Sequence, residues 1–292
     1  MTMVDKIILG TVQLGLEYGI SNNTGKPSKN KSFEIFDTAW LNGIRTLDTA
    51  KAYGNAHDLI GTYHKNNKEK RFKVITKIPH GFNHAIEYAI DSYIKELHID
   101  NLYALLFHSF ENYHDAVADT NLLRSLKATG KVKRLGVSIY SNEQMEVVIH
   151  DPNIDIIQLP FNILDNENQR GELIRKAKDY GKEVHTRSCF LQGLLFMDYK
   201  ADIPIIKSLR KELKQLKKIS ENHGLSVSEL ALGYSMAQKN IDKILIGVDS
   251  KTQLEQNIKE ADTKLSKELL LDIESIVVEN INLLNPSLWN KI

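Results

Sequence analysis

The stretch that best defines the fold of this chain is residues 130–149, GKVKRLGVSIYSNEQMEVVI. Gly130 lies where a preceding helix would need a left-handed residue at its C-terminus. Residues 134–139 form a short apolar run typical of a buried strand. Ser141, followed three residues later by Gln144, is the signature of a helix N-terminus with a capping box. The stretch therefore predicts the end of one helix, a strand and the start of the next helix.

The same strand-to-helix unit recurs along the chain. Eight short runs rich in β-branched residues are predicted as strands, at residues 6–9, 46–49, 74–78, 102–109, 134–139, 155–159, 183–188 and 243–248. Helices are predicted between them, at residues 31–43, 56–66, 83–97, 114–129, 141–149, 167–181, 205–222, 226–238 and 250–261. Because strands that alternate with helices form parallel sheets, eight such units predict an α/β fold of the (β/α)8 TIM barrel type.

The domain organisation follows from the same pattern. No linker or internal repeat beyond this unit is found, so residues 1–292 are expected to form a single barrel domain with a C-terminal helix and tail, in which residues 277–292 pack back on the body. An open doubly wound sheet is the competing fold. It is disfavoured because residues 10–15, GTVQLG, lack the glycine spacing of a dinucleotide-binding turn.

Composition narrows the classes of partner. The chain carries 38 Lys and Arg residues against 37 Asp and Glu residues, so it has no global field that would favour nucleic acid or a membrane surface. No segment approaches the roughly 20 apolar residues that span a bilayer. Cys189 is the only cysteine, which excludes an intramolecular disulfide and a cysteine-based zinc site. A cytoplasmic protein that binds neither nucleic acid nor membrane, and that uses no metal, is expected.

Four polar residues stand out because they close or follow successive apolar runs. They are Asp48, Lys77 and His108, with Tyr53 five residues beyond the aspartate. In a barrel the carboxyl ends of the strands meet at one rim, where active sites are built. An ammonium close to a phenol favours the phenolate, and a carboxylate behind the ammonium keeps it charged. The four side chains together could donate a proton to a carbonyl oxygen while the histidine orients it.

This chemistry suits a carbonyl that accepts hydride at carbon and a proton at oxygen. No amino-acid side chain supplies hydride, so the site implies a nicotinamide cofactor. A second interpretation uses Lys77 as a Schiff-base nucleophile, as in aldolases, which requires a lysine of low pKa. Asp48 argues against it, because a paired carboxylate raises the pKa of a lysine.

The motifs around these residues resemble those of the aldo-keto reductase superfamily. They are Leu47–Gly54 (LDTAKAYG), Ile75–Lys77 (ITK), Leu106–Ser109 (LFHS) and Gly130–Ser138 (GKVKRLGVS). The resemblance covers essentially the whole chain. It implies an NAD(P)H-dependent carbonyl reductase whose catalytic residues are Asp48, Tyr53, Lys77 and His108, with the cofactor extended across the carboxyl rim of the barrel.

The resemblance also implies a set of cofactor-binding residues. Ser138 and Gln158 match the positions that bond the nicotinamide carboxamide, and Arg187 matches a position that stacks on the nicotinamide ring. The remaining matches are Gly10 and Thr11 after the first strand, Ser188, Leu191 and Gly193 in the loop that follows the pyrophosphate, and Ile246, Gly247, Val248, Gln253, Gln256 and Asn257 at the adenosine phosphate.

Two departures from the family pattern bear on the cofactor. Ile139 follows Ser138 where the family often has Asn. Gly247 and Gln253 occupy positions where NADPH-specific members place Lys or Arg, and the acidic Asp249 lies nearby. The cofactor is therefore expected to be NADPH or NADH, with the preference open.

The expected substrate is a small carbonyl compound: an aldehyde, a ketone or a keto sugar. Residues 158–162 and 187–195 resemble a bacterial branch of the superfamily often met among sugar-modifying and surface-polysaccharide enzymes. A monomer or weak homodimer is expected. A third interpretation is a nicotinamide-binding regulatory subunit with little turnover, as some members of the superfamily are.

Overall fold

Eight parallel strands form a closed barrel at the centre of the molecule, in the computed structural model that describes residues 3–22, 24–78, 86–117 and 120–291. The strands are β1 (Ile7–Gly10), β2 (Thr46–Asp48), β3 (Lys73–Ile78), β4 (Ala104–Phe107), β5 (Leu135–Ser138), β6 (Ile156–Pro160), β7 (Glu183–Arg187) and β8 (Lys243–Gly247). Each strand pairs with the next in sequence, and β1 pairs with β8 to close the ring. The predicted TIM barrel is confirmed, with each described strand close to its predicted bounds.

Helices surround the barrel. They are α1 (Val12–Gly15), α2 (Lys29–Leu41), α3 (Ala56–Asn66), α4 (Ile86–Leu97), α5 (Phe110–Val117), α6 (Thr120–Ala128), α7 (Asn142–Ile149), α8 (Glu167–Asp179), α9 (Pro204–Ser208), α10 (Arg210–His223), α11 (Val227–Ala237), α12 (Lys251–Glu260) and α13 (Lys267–Glu274). Among the described segments, no helix is long and apolar enough to cross a membrane.

Some helix predictions differ from the structure. The helix predicted at residues 114–129 is replaced by α5 and α6, on either side of residues 118–119, which lie outside the described part. The helix predicted at 205–222 is divided into α9 and α10, because Leu209 leaves helical geometry with φ −106° and ψ 16°. The first residues of the helix predicted at 83–97 also lie outside the described part.

Two hydrophobic clusters hold these layers together. A small cluster inside the barrel contains Ile8, Ile75, Ala104, Leu106 and Ile156, all buried. A much larger cluster fills the space between the strands and the helices. Because successive residues of a strand point to opposite sides, residues two positions after the inner cluster also point inward, one layer closer to the carboxyl rim. This places the predicted site residues above an apolar floor.

The capping signals of the sequence are also present. Ser141 and Gln144 form the predicted capping box at the start of α7. The C-terminal tail packs on the body as expected, since Val278 and Leu284 are buried in the large hydrophobic cluster between the strands and the helices.

Candidate active site

A buried ion pair lies at the carboxyl end of the barrel interior. Lys77 follows the inner residue Ile75 by two positions on β3, and its Nζ contacts Asp48 Oδ1 on β2. Lys77 is 2% exposed and Asp48 is 1% exposed. The Lys77 ammonium also donates to the Thr49 carbonyl oxygen at 3.0 Å. These two acceptors fix the position of the ammonium and leave one of its three protons for Tyr53.

The other Asp48 oxygen is bonded across the barrel. Gln158, two positions after the inner residue Ile156 on β6, donates from Nε2 to Asp48 Oδ2 at 2.9 Å. Thr11 supports the same strand end, because its Oγ1 and its backbone N both donate to the Asp48 carbonyl oxygen at 3.0 Å. Asp48 is therefore held from β1, β3 and β6 together.

The electrostatics of the pair keep Lys77 charged. Burial by itself lowers the pKa of a lysine, but the neighbouring Asp48 carboxylate and the Tyr53 phenol favour the ammonium form and raise the pKa of Lys77 overall. Lys77 is consequently a permanent cation at neutral pH and a poor amine nucleophile.

Tyr53 lies in the loop between β2 and α3, next to this cation. Its ring centroid is 5.0 Å from Lys77 Nζ and 5.9 Å from the ring centroid of His108, which follows β4. The Tyr53 and His108 rings meet edge to face at 76°. The predicted quartet of Asp48, Tyr53, Lys77 and His108 is thus brought together at one rim.

Close packing of the backbone fixes the Tyr53 loop. A Cβ added at Gly15 would lie 1.9 Å from the Tyr53 carbonyl oxygen, and one added at Gly54 would lie 2.3 Å from the Gly15 carbonyl oxygen. Gly54 also has φ +53°, a conformation that side chains with a Cβ rarely adopt. Both glycines are required for α1 to lie directly against the Tyr53 loop.

A groove of about 490 Å³ runs from Tyr53 toward the N-terminus of α12. Predicted cofactor residues that line it are Gly10, Arg187, Ser188, Gly193, Ile246, Gly247, Gln253, Gln256 and Asn257. Ser138 and Gln158 do not line it; they are buried neighbours in register on β5 and β6, and Gln158 contacts Asp48. Thr11 lies under the rim, bonded to Asp48 as described.

Two predicted residues are turned away from the groove. The side chains of Leu191 and Val248 are buried in the large hydrophobic cluster. The resemblance assigned these positions by their place in a motif, whereas their apolar side chains pack inward. Any contact from them to a ligand would have to come from the backbone.

The groove wall also contains residues that sequence reasoning missed. The loop between β1 and α2 contributes Tyr18, Gly19, Ser21 and Asn22, and it packs against the loop after β7. Gln192 Nε2 donates to the Tyr18 hydroxyl at 2.9 Å, and the Ile20 backbone N donates to the Gln192 carbonyl oxygen at 3.2 Å. The residues that form this contact lie far apart in the sequence, so no local sequence pattern predicts it.

Arg187 stands at the Tyr53 end of the groove. Its guanidinium carbon lies 4.1 Å from the centroid of the Tyr140 ring, and Nη2 donates to the Ile139 carbonyl oxygen at 3.2 Å. Tyr140 therefore covers one side of the guanidinium group that was predicted to stack on nicotinamide. Tyr18 lies within electrostatic range of Arg187, although burial is the larger influence and raises the pKa of Tyr18.

The donor and acceptor pattern suits a nicotinamide dinucleotide. Among the described residues, five buried side-chain oxygens have no hydrogen-bond partner, and three of them are Gln158 Oε1 beside Asp48, Gln13 Oε1 in the groove wall and Asp249 Oδ1 at its far end. All three are acceptors, and the nucleotide offers matching donors in its carboxamide NH2 and ribose hydroxyls. Gly247 leaves space for the Gln13 amide, since an added Cβ would lie 2.1 Å from Gln13 Nε2.

Comparison with known proteins identifies a family model and several relatives that match most of the chain. The sequence model of the aldo/keto reductase family matches residues 6–278. L-galactose dehydrogenase of Arabidopsis thaliana is 27% identical, over 97% of this chain and 94% of that protein. Aldo-keto reductase YhdN of Bacillus subtilis is 26% identical, over 95% of this chain and 91% of that protein.

A solved structure has the same fold. The holo form of aldo-keto reductase AKR11C1 from Bacillus halodurans superposes with a TM-score of 0.76 at 22% identity, covering 94% of each chain.

Proposed function

Because this chain belongs to the aldo/keto reductase family, we propose that it reduces a carbonyl group to an alcohol with NADPH or NADH, and that Tyr53 supplies the proton. The observation that carries the proposal is the buried Lys77–Asp48 pair next to Tyr53. Removing a charged pair from water is costly, so a pair kept at a strand end beside a phenol is a candidate functional group.

Each residue of the quartet has a distinct part. A nicotinamide held in the groove would supply the hydride for the carbonyl carbon. Tyr53 gives its hydroxyl proton to the carbonyl oxygen, where negative charge develops. The Lys77 ammonium stabilises the phenolate that remains on Tyr53, and Asp48 keeps the ammonium charged and in place. His108, whose ring meets that of Tyr53 edge to face, donates a hydrogen bond that orients the carbonyl oxygen.

Gln158 has a supporting part in this proposal. Its Nε2 is committed to Asp48, which turns its Oε1 away from the carboxylate and leaves that oxygen without a partner. An acceptor in this position suits the NH2 of the nicotinamide carboxamide. One amide side chain would then link the orientation of the cofactor to the carboxylate that holds Lys77.

The substrate we propose is a small polar carbonyl compound, with a keto sugar or sugar-derived aldehyde as the first candidate. The wall near Tyr53 offers the hydroxyl of Tyr18 and the amide of Gln192, which suit a substrate with several hydroxyl groups. The relative L-galactose dehydrogenase carries a sugar in its name, in keeping with the resemblance to sugar-modifying enzymes.

A Schiff-base mechanism receives less support. It needs a neutral amine, and the surroundings of Lys77 raise its pKa. Cys189 is no alternative nucleophile, because burial raises the pKa of its thiol to about 12. Borohydride treatment in the presence of carbonyl substrates is expected to leave Lys77 unmodified.

The test of the proposed function uses Tyr53→Phe. This change removes the proton donor and keeps the ring, so nucleotide affinity should change little while kcat falls by about 100- to 10,000-fold on a panel of aldehydes, ketones and keto sugars. Tyr88→Phe is the matched control, because it removes the hydroxyl of an exposed tyrosine that does not line the groove and should keep most of kcat. Retained turnover in Tyr53→Phe would reject its role. Tight nucleotide binding without reductase activity in the unaltered protein would favour a regulatory subunit.

A further inference from the structure

Arg187 brings a positive charge to the end of the groove that contains Tyr53. Its guanidinium group donates to two neutral oxygens. Nη2 donates to the Ile139 carbonyl oxygen at 3.2 Å, and Nη1 donates to Ser188 Oγ at 3.3 Å. Within the described part of the chain, no carboxylate forms an ion pair with Arg187. The guanidinium is therefore bonded but keeps its full charge.

Two other cations behind this rim are paired with carboxylates. Lys77 contacts Asp48, as described above. Arg170 binds both oxygens of the buried Asp165, from Nε to Oδ1 at 2.6 Å and from Nη2 to Oδ2 at 2.9 Å. Asp165 lies within electrostatic range of Arg187, but its own ion pair with Arg170 already offsets its charge. The charge of Arg187 differs from the other two because it has no such partner.

The structure fixes the direction of the Arg187 side chain. The inner residue Ile156 is in register with Glu183 on β7, so Arg187, four residues later on the same strand, also points to the inside of the barrel. Tyr140 covers one side of the guanidinium, and Arg170 Nη2 holds the Tyr140 backbone by donating to its carbonyl oxygen at 2.8 Å. The opposite side of the guanidinium is left for the groove that Arg187 lines.

The proposed reaction changes the charge of the group that must lie at this end. Hydride reaches the carbonyl carbon and the Tyr53 proton reaches the oxygen of the same carbonyl, so the nicotinamide ring and Tyr53 must occupy one end of the groove. A neutral dihydronicotinamide, a carbonyl compound and a proton become a nicotinamide cation and an alcohol. A fixed cation beside the ring repels the oxidised form and does not repel the neutral reduced form.

Resting on the proposed function, we propose that Arg187 makes the site bind the reduced nicotinamide nucleotide more tightly than the oxidised one, and so favours carbonyl reduction over alcohol oxidation. The phosphates and the adenosine are identical in the two forms. Any attraction between Arg187 and a phosphate therefore cancels in the ratio of the two dissociation constants. The ratio of the oxidised to the reduced constant also gives the shift in reduction potential of the bound couple, because binding and reduction are linked.

The experiment measures this ratio by isothermal titration calorimetry without substrate, for NAD+ with NADH and for NADP+ with NADPH. Arg187→Gln removes the charge and keeps an NH2 group that can donate to the Ile139 carbonyl oxygen. It is expected to lower the ratio at least about tenfold, which corresponds to a fall of about 30 mV in the potential of the bound two-electron couple. Arg187→Lys keeps the charge and should keep most of the ratio.

Two further variants complete the set. Arg187→Met, which keeps an apolar stem beside Tyr140, is a second neutral replacement with the same expected fall, in case Arg187→Gln does not fold. Arg45→Gln is the matched control. The Arg45 guanidinium carbon also lies 4.1 Å from an aromatic ring centroid, that of Trp40, and Nη1 donates to a backbone carbonyl oxygen, but Arg45 does not line the groove. Its replacement should leave the ratio unchanged.

The outcomes separate this inference from the proposed function. A ratio close to one in the unaltered protein overturns the inference and leaves the reductase proposal intact. A ratio that the neutral variants do not alter has the same meaning, because the charge of Arg187 then does not act on the ring. An equal fall in Arg187→Lys overturns it as well, since the shape of the guanidinium would then be the cause. If no nucleotide binds, the proposed function fails and the inference fails with it.

Discussion

The Lys77–Asp48 pair makes a sharp prediction about stability. Lys77→Met leaves the Asp48 carboxylate buried with Gln158 as its remaining side-chain donor, and Asp48→Asn leaves the Lys77 ammonium without its counter-ion. Removing one partner of a buried pair costs about 3–5 kcal/mol, because the other charge stays uncompensated. In a domain of this size each single change should lower the melting temperature by roughly 10 °C.

The double variant should behave differently. Asp48→Asn with Lys77→Met removes both charges together, and the new amide oxygen can still accept from Gln158. We therefore expect it to recover at least about half of the stability lost by the single variants, since neutral replacements of a buried pair are often tolerated. Reductase activity should stay lost, because no cation remains beside Tyr53.

Urea unfolding at pH 7 and differential scanning calorimetry measure the stabilities of the unaltered protein, the two single variants and the double variant. Losses that simply add in the double variant would refute the reasoning, because they would mean that the two charges do not compensate each other. Single variants whose free energy of unfolding lies within about 1 kcal/mol of that of the unaltered protein would refute it as well, since the loss of an exposed ion pair has an effect of that size.

Two further predictions concern pH and backbone packing. Burial lowers the pKa of His57 to about 4 and of His185 to about 3, so the unfolded chain, with pKa near 6.5, binds protons first as the pH falls. Each histidine should therefore remove about 2 kcal/mol of stability between pH 7 and pH 5. The urea midpoint of the double variant His57→Gln with His185→Gln should fall less over this pH range than that of the unaltered protein. An equal fall of the two midpoints would contradict the assignment. Gly15→Ala should lower kcat/KM at least about tenfold by displacing the Tyr53 backbone. Gly224→Ala, at φ +63° with open space around it, should cost about 1 kcal/mol of stability and leave kcat/KM unchanged; comparable kinetic losses in both would show that the Tyr53 contact is not the cause.

Much of the fold was predictable because its signals are local. Strand runs, capping boxes and helix-ending glycines each act over a few residues, and eight repeats leave little choice of topology. The quartet was predictable for the same reason, since Asp48, Lys77 and His108 close or follow strands whose ends must meet at one rim. The cross-barrel bond from Gln158 to Asp48 joins residues far apart in sequence, and only closure of the ring brings them together.

The parts that sequence reasoning missed depend on long-range packing. Tyr18 lies in a loop whose conformation is set by Gln192, which is distant in sequence. Leu191 and Val248 were assigned to the cofactor by motif position, although their apolar side chains pack in the hydrophobic core. The break at Leu209 likewise has no proline or glycine to mark it.

The position of the groove on the β1–β8 junction links ligand binding to the stability of the closed barrel. This junction is where the two ends of the barrel chain meet, and Gly10, Ile246 and Gly247 from its two strands line the groove. A nucleotide bound there would contact both strands of the pairing that closes the barrel. Its binding would raise the free energy of unfolding with the logarithm of its concentration. Resistance to proteolysis should then rise with the concentration of added nucleotide.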